Sequence, residues 1–437
     1  MVRLVSAWVA TLLIACGRAP RGASPPEPGP DQVHLLVVLD GVRADRTSLC
    51  GHPRETTRYL VRLRDELRAS TSCTFYAPSP LATPAIGSLV SGLPPASHGL
   101  DAKFVGASWS AVETLAERYA GEGWKTVLVT GKPELAGSPG AADGFEDVFG
   151  AEAPLRGTSL IEGVQTALGA ASTRPLFLMV VISDALPPWP AITEDLALGP
   201  PRPPLDLRLD APGQTLRRFL AGGGRDAERD KLIESARAHY DAGVRSADAL
   251  VRDTLNAIER RRGTRDGVRA LIVGGTGYML GEKNTIGQSA VLWEPMVRLP
   301  FVFFDTSREA RFPPLPDGPY STLLVHDLLL TGVMPRPLPE VTATSAFDRS
   351  VEPTGEDMVA LWGGTGKMLW WRGVMARYAL IDDPEERQPK LPYTADVRPR
   401  MEALVPDAEA WMAWRDAELA RRGLAAPPRP PVEDPLP

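Results

Sequence analysis

Short runs of consecutive apolar residues, each ending in a polar turn, recur along the chain. HLLVVLD at His34–Asp40, PLFLMVVIS at 175–183 and RALIVGG at 269–275 share this form. Such runs read as strands buried on both faces. Between them the period changes. TRYLVRLRDELRAS places Leu60, Leu63 and Leu67 on one helical face. WSAVETLAERYAGEGWKTVLVTG reads as a helix, a glycine stop at Gly121–Gly123 and a strand from Thr126. Residues 231–262 predict one or two long helices, with Leu250, Leu255 and Ile258 toward the core. Strands alternating with helices predict an α/β fold with a mostly parallel sheet covered by helices on both faces. Ligands of such sheets sit beyond the carboxyl ends of the strands, which places Asp40 well for a site.

The pattern breaks in three places. PPWPAITEDLALGPPRPPLDLRLDAPG is proline-rich and predicts an irregular surface excursion. Past about Pro335, GKMLWWRGVMARYALIDDPEERQ predicts two strands with a turn near Gly373, then an acidic loop. The paired Trp370 and Trp371 fit alternate packing on the two sheet faces. A terminal helix over 397–422 and a disordered tail complete the chain. At the other end, MVRLVSAWVATLLIACG has a basic start and an apolar run shorter than the roughly 20 residues that span a bilayer. It reads as a secretory signal, and LIAC before Gly17 resembles a bacterial lipobox with Cys16 as the lipidated residue. Expected boundaries are therefore a lipoprotein signal at 1–16, a proline-rich tether at 17–32, an α/β domain at 33–335, a small C-terminal α+β subdomain at 336–425 and a tail at 426–437. The expected location is across the inner membrane, lipid-anchored in the periplasm or at the outer membrane or cell surface.

A net charge of -6 argues against a nucleic-acid partner. The chain's three cysteines form no metal-ligand spacing. Cys50 and Cys73 stand either as one disulfide in an oxidising compartment or as two buried thiols. The histidines, His34, His52, His98, His239 and His326, are scattered without paired spacing.

Taken in order, several blocks resemble the sulfatase branch of the alkaline-phosphatase superfamily. LLVVLDGVRADRTSLCGHPRETTRYLVRLRDE resembles the family's opening strand and its sequel. YAPSPLATPAIGSLVSGLPPASHG is similar to its nucleophile loop and helix. AERYAGEGWKTVLVTG, AHYDAGVRSADALVRDTLNAIE and ALIVGGTGYMLGEKNTIGQSAVLWEPMVRLPFVF resemble later blocks, as do TLLVHDLLLTGVMP and ALIDDPEERQ.

The resemblance implies a divalent cation at the carboxyl end of the sheet beside a nucleophile that attacks sulfur or phosphorus. Hard cations take roughly six or more oxygen ligands, so several carboxylates are required. Asp40 falls on the first metal-binding Asp, but its usual acidic or polar neighbour is Gly41. Ala82 stands at the nucleophile position, where a methyl group can neither attack nor become formylglycine. Ile86 replaces the supporting arginine. Gly275 and Thr276 replace the metal-binding Asp and its His, and Gln288 falls where a substrate-facing Lys is usual. A family histidine falls near Leu186, and Lys132 with Glu134 align with a Lys–His pair that keeps only the lysine.

Each survivor also has a plainer role. Asp40 serves equally as a turn former or cap, and His98 as a structural residue near the loop. Arg43 and Asp45 suit a local ion pair. Thr83 is one residue out of register with the lost nucleophile. Tyr278 and Glu282 lie near the metal loop as pocket candidates. The site reads as dismantled, which predicts a pseudoenzyme with a binding or structural role in the envelope and no cofactor. An anionic small molecule or glycan is the expected kind of ligand, and the protein partner is unknown. Two alternatives stand: a divergent hydrolase of sulfuric or phosphoric esters using calcium or magnesium, and a non-catalytic partner of an active envelope enzyme.

Overall fold

The computed structural model describes residues 29–98, 112–136, 141–171, 173–194, 196–198, 227–307, 315–316, 318–345, 358–364, 366–371 and 374–390. Cys16, the signal, the tether up to residue 28, the turn at Gly373, the helix expected over 397–422 and the tail lie outside them. In chain order the main-domain strands are β1 Val33–Leu39, β2 Ser70–Tyr76, β3 Lys125–Thr130, β4 Asp147–Phe149 and β5 Leu176–Ile182. They continue with β6 Val268–Gly274, β7 Met279–Leu280, β8 Ile286–Gly287, β9 Arg298–Asp305 and β10 Tyr320–Ser321. The C-terminal strands are β11 Thr342–Thr344, β12 Met358–Gly363, β13 Gly366–Trp371 and β14 Val374–Ala379.

Eight strands form the main sheet in the order β10-β2-β9-β6-β1-β5-β3-β4. All its pairings are parallel except those of β9, which runs antiparallel to both β2 and β6. β1 and β5 are buried along their whole length, as their unbroken apolar runs require. Side chains alternate across β1. Leu35, Val37 and Leu39 join a core with the helices Arg58–Glu66, Thr158–Ala170 and Ala227–Arg262 on one face. Leu36 and Val38 join a second core with the helices Ala82–Ser91, Leu115–Gly121 and Leu324–Thr331 on the other.

The segment from residue 231 folds as part of a single helix, Ala227–Arg262, with Leu250, Leu255 and Ile258 buried as expected. Cys50 and Cys73 are joined by a disulfide with Cα atoms 5.6 Å apart, which ties the loop after β1 to β2. The C-terminal region adds a four-stranded antiparallel sheet, β11-β12-β13-β14, where the sequence suggested two strands. Trp370 packs against a small cluster around Val359, Leu361 and Met375. This sheet is fixed to the main domain by a buried polar network. Lys367, fully buried, donates to the Leu292 carbonyl and lies 2.7 Å from Glu386 and 3.3 Å from Glu294. Glu294 also accepts from Trp362 Nε1 at 2.9 Å and Tyr76 OH at 3.1 Å.

Candidate functional site

The parallel register carries Asp40 and Asp184 to the same end of neighbouring strands, since Leu39 pairs with Ile182 and Gly274. Asp40 is fully buried there. Lys132, beyond the end of β3, reaches it: Nζ lies 2.8 Å from Asp40 Oδ2 and 3.2 Å from Glu134 Oε1. Burial opposes the Lys132 charge, but Asp40 and Glu134 outweigh it, and the pKa is raised. The other carboxylate oxygen, Asp40 Oδ1, accepts from Thr276 Oγ1 at 3.2 Å and from Gln288 Nε2 at 3.4 Å. Gln288 Nε2 also donates to Thr276 Oγ1 at 2.8 Å. Asp40 Oδ1 thus accepts hydrogen bonds from this chain, whereas Oδ2 faces the Lys132 ammonium as an ion pair and has no hydrogen bond of its own among the described residues.

The loop that follows Asp40 is equally closed. Tyr240 OH donates to the Gly41 carbonyl at 2.6 Å and accepts from Arg43 N at 2.9 Å. Gly41 has φ +83°, and a Cβ there would stand 2.4 Å from Leu186 Cδ2 and 2.8 Å from Leu186 Cγ. Leu186 occupies the space where an acidic side chain at position 41 would begin. Gly275 is more open: a Cβ would meet Val38 Cγ1 at 3.0 Å and Asp40 Oδ1 at 3.4 Å.

Ala82 is the first residue of its helix, and Ile86 is buried in the second core among apolar neighbours. Thr83 is buried, and its hydroxyl makes no hydrogen bond to the Asp40 cluster among the described residues. His98 is structural, its Nε2 lying 2.9 Å from Ser88 Oγ and 3.2 Å from the Pro84 carbonyl. Arg43 pairs with Asp45 at 2.6 Å as expected and also with Glu282 at 2.8 Å. Glu282 lines a cavity, whereas Tyr278 is buried against Tyr240 and does not. The sequence thus identified Asp40, Thr276, Gln288 and Lys132 singly, and the structure joins them in one cluster.

Two neighbours of the cluster carry no motif signal in the sequence. Asp184 is buried and pushed up by desolvation, with Ser246 Oγ donating to it at 2.7 Å. Arg156, whose pKa burial lowers, is held by the carbonyls of Leu186 and Pro188 and feels the charges of Asp184, Asp40 and Glu134. The strand-end rule that singled out Asp40 applies equally to Asp184, which follows Ser183 after β5.

Residues 32–181 match the family model for sulfatases. The structure superposes on a 2-O GAG sulfatase with a TM-score of 0.61 and 14% identity, over 90% of this chain and 94% of that one. It superposes on the phosphonate monoester hydrolase of Agrobacterium radiobacter with a TM-score of 0.64 and 16% identity, over 88% and 96%. The phosphonate monoester hydrolase of Silicibacter pomeroyi gives 0.62 and 12% over 88% and 95%. The chain has a sulfatase-like fold. No protein of curated function matches it in sequence.

A sulfatase-like fold implies a divalent cation, and the residues at this strand end do not fit one. A hard cation draws its affinity from several converging carboxylates. Here Asp40 faces an ammonium, a hydroxyl and an amide, and Gly41 and Gly275 carry no side-chain oxygen. Among the described residues, no group of three or more His, Cys, Asp or Glu is placed to hold a metal.

Proposed function

We propose that this sulfatase-like chain is a lipid-anchored envelope protein that has lost ester hydrolysis and acts by binding or as a structural component. The observation that carries this reading is that Asp40 Oδ1 is met by the Thr276 hydroxyl and the Gln288 amide, with Gly275 beside it, and not by further carboxylates. Ala82, the first residue of its helix, carries no nucleophilic atom, and phosphoryl or sulfuryl transfer needs both an activated nucleophile and cations around the transferring group. The lipobox at Cys16 and the proline-rich tether support anchoring outside the inner membrane. The Cys50–Cys73 disulfide suits an oxidising compartment. The same fold favours one rival, a hydrolase of sulfuric, phosphoric or phosphonic esters that uses calcium or magnesium.

One experiment separates them. The purified chain is soaked in calcium, magnesium, manganese and zinc, desalted and analysed for bound metal, then assayed with p-nitrophenyl sulfate and phenyl phosphonate esters. The expected result is substoichiometric metal and no turnover above the protein-free rate. Stoichiometric metal that disappears in Asp40→Asn, or turnover lost in the same variant, would establish the hydrolase instead.

A further inference from the structure

A cavity of about 570 Å³ opens between the loop after β1, the turn joining β7 to β8, and the loop after β14. None of Asp40, Lys132, Thr276 or Gln288 lines it. Its volume lies within the range of about 300–1,000 Å³ usual for small-molecule sites.

The carboxylates in its wall are already taken. Arg43 holds Asp45 and Glu282 at 2.6 and 2.8 Å. Lys367 holds Glu386 and Glu294 from behind, and Arg387 pairs with Glu385. Arg237 and Arg298 differ. Each is fixed through Nε to a backbone carbonyl, Arg237 to Leu280 at 3.1 Å and Arg298 to Cys73 at 2.7 Å. Neither forms an ion pair among the described residues, so their Nη groups are left for another acceptor. Lys283 stands in the same wall, its ammonium 4.6 Å from the centre of the Trp293 ring and donating to the Glu386 carbonyl rather than to a carboxylate.

A guanidinium anchored at Nε keeps its outer N–H groups in one orientation, the geometry that meets a carboxylate, sulfate or phosphate edge with two parallel hydrogen bonds. We infer that this cavity binds a small molecule bearing an oxyanion, of roughly monosaccharide size, through the guanidinium groups of Arg237 and Arg298. The indole of Trp293 supplies the apolar wall against which the uncharged body of such a ligand packs. The inference goes beyond the proposed function: it assigns binding to a cavity outside the inherited strand-end cluster and holds whether or not that cluster has any activity.

The test is calorimetric titration of the full chain in detergent with sodium sulfate, sodium phosphate, glucuronate and glucose 6-sulfate, beside an ester-turnover assay. At least one probe is expected to bind more tightly than about 10 mM. Arg237→Gln, folded by circular dichroism, is expected to weaken binding by about tenfold or more. Arg298→Lys, which keeps the charge but not the fork, is expected to do the same, whereas Gln288→Ala in the inherited cluster leaves affinity within about twofold. Binding of the inorganic anions as tight as that of the sugars would assign the site to the free ions; tighter binding of the sugars would assign it to a saccharide. Failure of all four probes to bind overturns the inference, as does loss of binding in Gln288→Ala with none in Arg237→Gln. Ester turnover without a change in binding would overturn only the proposed loss of hydrolysis.

Discussion

The ammonium of Lys132 lies 2.8 Å from the carboxylate of Asp40, and both side chains are buried. Removing one member of such a pair strands the other's charge away from water, at a cost of about 3–5 kcal/mol. Lys132→Met is expected to lose stability on that scale in urea unfolding, and Asp40→Asn combined with Lys132→Met is expected to recover most of it. A single variant within about 1 kcal/mol of the parent chain would show that the pair is solvated and that the cluster is open.

Gly41→Asp would add a second acidic residue beside Asp40, yet it is expected to destabilise. Its Cβ meets Leu186 at 2.4 Å and its φ is +83°. Backbone strain contributes about 1–2 kcal/mol and overpacking about 1–3 kcal/mol. Adding Leu186→Ala should remove the clash and leave the backbone part, a difference that thermal unfolding of the two variants would resolve.

Lys367 is fully buried between Glu294 and Glu386. Lys367→Met leaves two carboxylates without their cation and is expected to cost about 3–5 kcal/mol. The loss should be local: hydrogen exchange is expected to speed up across β12–β14 before it does so across β1, β5 and β6. Equal acceleration in both sheets would mean that this network does not set the stability of the C-terminal sheet.

His98 makes stability depend on pH. Burial holds its imidazole down to about 3, against an ordinary value of 6.5, with the Pro84 carbonyl opposing. The folded chain therefore keeps His98 neutral, and its contribution is complete above pH 6.5 and lost as the pH falls from there toward 3. At about 1.4 kcal/mol per pH unit the loss is on the order of 4–5 kcal/mol. Asp248, pushed up to about 6 by burial, works in the opposite sense between that value and 3.8. Urea midpoints measured from pH 7 to pH 4 should fall, and His98→Gln should flatten the fall; an unchanged slope would place the acid sensitivity elsewhere.

The main strands were legible because β1, β5 and β6 are buried on both faces and so carry unbroken apolar runs. β2, STSCTFY, was not, because its middle residues are only half-buried and polar side chains interrupt the run. β9 is strongly apolar, but nothing in its composition encodes that it runs against its neighbours. Motif positions mark the site residues one at a time. Their assembly depends on strand order: β5 separates β1 from β3, and Lys132 crosses that gap to reach Asp40. No local pattern records a contact between residues so far apart in the chain. The pairing of Cys50 with Cys73 depended likewise on the loop after β1 folding back beside β2.

The interlock of Gly41 and Leu186 also couples what each position tolerates. A leucine at 186 packs without strain while position 41 lacks a side chain, and an acid at 41 crowds it unless 186 moves or is shortened. Substitutions at the two positions cannot occur in either order at equal cost. Shortening Leu186 first opens a void beside Asp40, and placing an acid at 41 first crowds Leu186. Either single change is therefore less stable than the double change, so the two positions respond to substitution as one unit.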